Sequence, residues 1–118
     1  MSSTGGAIAP GVHRVLGDPD AVAAALDETG WRVAVAAPAS RTRELYDALS
    51  VALPLPDWFG RNLDALAETL GDLDRPTALV LRSWTTYARA RPERWAAVLT
   101  VLRERTRSDP PFVVVLAD

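Results

Sequence analysis

A small α/β domain built on a parallel sheet is predicted by three observations. Three short runs, Trp31–Ala37, Thr77–Leu81 and Phe112–Ala117, are apolar and rich in small or β-branched residues, as strands buried on both faces are. The segments between them carry apolar residues at helical spacing and are long enough to cross over, which parallel pairing requires. The chain has 118 residues, 48% hydrophobic and 24% charged, which suits one globular domain. The expected architecture is a three-stranded parallel sheet packed with helices, plus an N-terminal strand–helix addition.

The elements follow in order. Residues 1–11 are small and polar and are expected to form a flexible tail, with a single domain over 12–118. Val12–Leu16 can make a short edge strand. Asp18-Pro19 reads as an N-cap followed by proline at the first helical position, with Gly30 after the last turn, so 19–29 is expected to be helical and 12–30 to form the N-terminal extension. Trp31–Ala37 is a strand ended by Pro38. Ser40 can cap a helix running to about Leu53, with Leu45, Leu49 and Leu53 as its buried stripe. Pro54 and Pro56 stop it. A second helix is expected from about Arg61 to Leu70, closed by Gly71. Thr77–Leu81 is a strand, Thr85–Ala90 is open to helix or loop, and 92–107 is a helix with Trp95, Val98, Leu99 and Leu102 on one side. Phe112–Ala117 closes the chain as a strand.

Composition excludes several kinds of chemistry. Without cysteine there is no disulfide, no thiol nucleophile and no Cys-ligated metal. The one histidine, His13, reads as a surface residue near the N-terminus, and no P-loop, G-x-G-x-x-G or G-x-S-x-G run is present. No enzyme activity, cofactor or metal is expected. Met1–Pro10 has no basic stretch leading into an apolar one, and no apolar run approaches the roughly 18 residues of a membrane span, so a cytoplasmic protein without membrane contact is expected. The arginines of the last helix, Arg94, Arg103, Arg105 and Arg107, suit its C-terminal dipole and cover apolar surface with their stems, which argues against direct nucleic-acid binding.

Charge is unevenly spread. Residues 54–76 hold five acids, Asp57, Asp64, Glu68, Asp72 and Asp74, against Arg61 and Arg75, while the rest of the chain is net +1. On a helix Leu63, Leu66, Leu70 and Leu73 share one face, and Asp64, Glu68 and Asp72 lie opposite at i, i+4 and i+8. Such a row is either a solvated face or an interface. Two features favour the interface. Like charges at i, i+4 destabilise a helix by about 0.2–0.5 kcal/mol per pair, with only Arg61 nearby to offset them. Adjacent aromatics Trp58 and Phe59 cannot both point inward from extended positions, and an aromatic beside carboxylates suits a binding hot spot.

The run Leu55-Pro56-Asp57-Trp58-Phe59-Gly60, with Asn62-Leu63-Asp64-Ala65-Leu66 after it, resembles the signature of the barstar family, intracellular inhibitors of barnase-like ribonucleases. The likeness runs from about Trp31 to Asp118, and Trp84 matches a core tryptophan of the family. The resemblance implies a three-stranded parallel sheet covered by helices. It also implies that the acidic helix and the loop before it plug the active site of a small basic ribonuclease as a phosphate mimic, protecting the producing cell. Carried over by position, Asp64 and Glu68 would pair with active-site arginine and lysine, and Trp58 would pack near the catalytic histidine. Gly60 and Asn62 would make close backbone contacts, and Glu104 would add a peripheral charge pair. Asp57 and Phe59 belong to the same loop. Glu68 stands where the family has aspartate, so its carboxylate reaches one methylene further. The partner implied is an extracellular-type ribonuclease, and the free protein is expected to be a monomer. The alternative is a non-inhibitory binding module that turns the same face to another basic protein.

Overall fold

The computed structural model describes residues 9–53, 55 and 60–117. Four strands and five helices follow in the order β1 (Gly11–Val15), α1 (Pro19–Glu28), β2 (Arg32–Ala36), α2 (Thr42–Ala52), α3 (Leu63–Gly71), β3 (Thr77–Arg82), α4 (Trp84–Ala90), α5 (Pro92–Arg105) and β4 (Phe112–Ala117). The strands form one sheet in the order β1-β4-β3-β2, and every pairing is parallel. The three expected strands are thus neighbours, as the crossover argument requires.

The sheet has four strands where three were expected, and the N-terminal unit is no addition. β1 pairs with β4 over its whole length, from Gly11 opposite Val113 to Val15 opposite Ala117. It therefore starts at Gly11, inside the expected tail. Because β1 and β2 occupy opposite edges, α1 must traverse the sheet between them, and it packs on β2 and β3 on the way. Sequence periodicity cannot reveal this, because a five-residue strand is equally compatible with an edge of this sheet or a separate hairpin.

Alternation along the strands divides the core into two layers. Leu79, Leu81, Phe112, Val114 and Leu116 face α2, α3, α4 and α5. Ala78, Val80, Val113, Val115 and Ala117 face the other way and meet Leu26 of α1. Both faces of β3 and β4 are covered, which is why those strands read as nearly continuous apolar runs.

Local signals account for most boundaries. Asp18 caps α1 by accepting from the Asp20 amide, Pro19 is its first residue, and Gly30 takes φ +93° just beyond its end. In α2 the stripe Leu45, Leu49, Leu53 is buried as expected, but the helix starts at Thr42 with Arg41 at the capping position rather than Ser40. There the Glu44 carboxylate accepts from the Arg41 amide at 3.2 Å, so the return half of a capping box does the work. Residues 85–90, which periodicity left open, are helical. They are held by Trp84 stacked on Trp95 at 5.6 Å between ring centroids and by Tyr87 edge-on to Trp95 at 6.2 Å. Arg14 of β1 lies over Trp84 at 5.1 Å, a cation–π contact that ties the first strand to the rest. His13 lies in β1, where its Nε2 is 2.8 Å from the Ala9 carbonyl oxygen.

Candidate partner-binding site

α3 begins where a side chain can end a loop. Asn62, not Arg61, is the boundary: its Oδ1 accepts from the Ala65 amide at 2.8 Å, and its Nδ2 donates to the Gly60 carbonyl at 3.1 Å. A Cβ on Gly60 would lie 3.2 Å from that Asn62 nitrogen and 3.4 Å from the Ala65 Cβ, so a side chain there would crowd the capping amide and require it to shift by a few tenths of an ångström. Arg61, between them, takes a left-handed φ of 48°, which costs a non-glycine residue about 1–2 kcal/mol. Its Nε donates to the Asp47 carboxylate of α2 at 2.6 Å, and this ion pair fixes the turn.

With its start set in this way, α3 turns Leu66, Leu70 and the following Leu73 into the core, with Leu63 partly buried at its edge. Asp64 and Glu68 stand exposed on the outer face. Asp72 is exposed too but is the C-cap rather than part of the helix. None of the three has an ion pair or side-chain hydrogen bond among the described residues. Asp72 also places negative charge at the negative end of the helix dipole.

The C-terminal end of α3 is held by Arg105, one of the four arginines whose stems are expected to cover apolar surface. Here the guanidinium is buried along with the stem: Arg105 is 7% exposed. Its Nε donates to the Leu70 carbonyl of α3 at 2.7 Å and its Nη1 to the Ser108 carbonyl at 2.9 Å, with the guanidinium over the Phe112 ring at 5.6 Å. Burial pulls its pKa below the usual arginine value, and nearby Asp109 acts in the opposite direction. The signal was in the spacing, because Trp95, Val98, Leu102 and Arg105 follow a 3-4-3 pattern and share the buried stripe. Glu104, one residue earlier, is exposed, and its carboxylate accepts from Arg107 Nη1 at 3.4 Å. It stands in the turn of α5 that meets the end of α3.

Gly60, Asn62, Asp64 and Glu68 thus lie at the start and along the outer face of one short helix, while Glu104 stands on α5, the helix packed against it. Asp57, Trp58 and Phe59 lie outside the described residues. A cleft of about 570 Å³ lined by Thr42, Arg91, Pro92, Glu93, Arg94 and Ala97 lies elsewhere and contains none of these groups. Among the described residues, no cluster of three histidine or acidic side chains is placed to hold a metal, and no helix is long and apolar enough to cross a membrane.

A family model described as Barstar (barnase inhibitor) matches residues 32–117. The chain belongs to the barstar family. It is a family of inhibitors rather than enzymes, and its partners are barnase-like ribonucleases. The match to the barstar model begins at the first residue of β2, so β1 and α1, including the helix that covers the back of the sheet, stand outside it. Comparison with curated proteins finds no match.

Proposed function

We propose that this barstar-family protein inhibits a small basic ribonuclease, with the outer face of α3 occupying the site where the nuclease holds RNA phosphates. The observation that carries this reading is the row Asp64 and Glu68, without an ion pair among the described residues, on a helix pinned at both ends. Carboxylates that no cation among the described residues pairs with are available to an incoming arginine or lysine, and a helix fixed in place presents them at a low ordering cost on binding. Gly60 and Asn62, with Asp57, Trp58 and Phe59, precede this helix in sequence, and Glu104 on α5 is the further charge that the reading assigns to the partner contact. Inhibition of this kind transfers no proton and consumes no substrate, so the protein needs no catalytic group.

The test pairs a thermal melt with affinity for a barnase-like ribonuclease, for wild type, Asp64→Ala and Glu68→Ala. In the free protein the two carboxylates repel at i, i+4, so each truncation should leave the melting temperature equal or raise it. Binding should weaken by tenfold or more, at least about 1.4 kcal/mol, because a cation of the partner loses its counter-charge. Unchanged affinity in both variants would show a merely solvated face.

A further inference from the structure

We propose that Arg105 is a positioning residue for the acidic helix: its buried guanidinium fixes the C-terminal turn of α3 against α5 and so sets where Asp64 and Glu68 stand. This rests on the reading of α3 as the inhibitory helix.

Nine residues make too short a helix to hold its own place, since isolated helices of this length are marginal in water. The leucines of α3 supply burial but little direction. The directional contacts are at its ends. At the N-terminus these are the Asn62 cap and the Arg61–Asp47 pair onto α2. At the C-terminus the last carbonyls have no partner in the helix. Two of them accept from residues three further on, Thr69 from the Asp72 amide at 3.1 Å and Leu70 from the Leu73 amide at 3.3 Å. The shorter bond to Leu70, at 2.7 Å, comes from Arg105 and is charge-assisted. At a rise of 1.5 Å per residue, that carbonyl lies only about 3 Å along the helix axis from Glu68 and about 9 Å from Asp64.

Stability alone does not call for an arginine here. Its Nη2 is buried with no hydrogen-bond partner among the described residues, a desolvation cost that an apolar side chain of similar volume would avoid. What an apolar side chain cannot supply is a rigid fork that reads two carbonyls at once, Leu70 of α3 and Ser108 beyond α5. Asp64 and Glu68 act through geometry, and charged hydrogen bonds across an interface lose strength within a fraction of an ångström.

The experiment compares wild type with Arg105→Met, which keeps the volume and removes the fork, and with Arg105→Lys, which keeps the charge. Amide hydrogen exchange across α3 is measured on the free protein. Association and dissociation rates with a barnase-like ribonuclease are measured well below the melting temperature. Arg105→Met should exchange the amides of residues 66–73 at least tenfold faster, with α2 and β3 unchanged. Its dissociation should quicken at least fivefold while association and its salt dependence stay as in wild type, a split that simple loss of stability would not produce. Arg105→Lys should fall between the two, and it carries the comparison if Arg105→Met does not fold. Wild-type exchange across α3 in a folded variant overturns the proposal whether or not the ribonuclease binds. If exchange rises but wild type binds no such ribonuclease, Arg105 still positions the helix and it is the inhibitory reading that fails.

Discussion

Tyr46 shows how a single buried residue couples this fold to pH. It lies within the core on α2. Burial raises its pKa above the ordinary value of 10.0; the nearby Tyr87 adds to the rise, and the positive charge of Arg94 opposes it. The folded state therefore holds the phenolic proton more tightly than the unfolded chain does. Its contribution is fully present below about pH 10 and is lost as pH climbs above that value. Urea titrations between pH 8 and 11.5 should show wild-type stability falling at the alkaline end, and Tyr46→Phe should flatten that fall. An identical decline in both proteins would assign the alkaline sensitivity to other groups. Gly60 and Asn62 make a second point at this scale. The resemblance marks both as partner contacts, and the structure shows each first as part of the start of α3, the one by making room and the other by capping.

At the scale of elements, α1 is the informative case. It covers a sheet face made of Ala78, Val80, Val113, Val115 and Ala117, and Leu26 is its buried residue in that layer. Were β1 and α1 an appendage, Leu26→Ala would cost well under about 1 kcal/mol, as surface changes do. As an integral layer the same truncation should cost about 2–5 kcal/mol and lower the melting temperature of the whole domain in one transition. Calorimetry distinguishes the two, because an appendage would melt separately. α3 makes the complementary case. Its outer face adds charge repulsion rather than stability, and its position comes from contacts at its two ends.

For the whole molecule, charge distribution matters more than net charge. The chain is net −2, yet residues 54–76 alone carry −3, so negative charge is concentrated in the segment of sequence that contains α3. A basic partner approaching through solvent is steered by the field of that charge, which salt screens with a Debye length of about 10 Å at 0.1 M. Stopped-flow mixing with a barnase-like ribonuclease should show association slowing several-fold between low and high salt, with dissociation changing little. A salt-independent association rate would mean that the acidic segment does not guide the encounter.

Sequence alone determined the class of this fold, because buried parallel strands must be apolar on both faces and their crossovers must be helical. β2, β3 and β4 could be read from that rule, as could the leucine stripes of α2 and α3 and the amphipathic face of α5. It also determined the outer face of α3, since periodicity places Asp64 and Glu68 opposite Leu66 and Leu70 whatever the helix packs on. The tertiary structure decided what depends on distant partners. β1 joins the sheet only because β4, about a hundred residues later, offers it an edge. α4 is helical around an indole stack that links Trp84 to Trp95. Arg105 lies on a buried stripe by its spacing, but that a guanidinium can be tolerated there depends on the Leu70 carbonyl at the end of another helix. Local pattern specifies which face a residue occupies; only packing specifies which group waits on the other side.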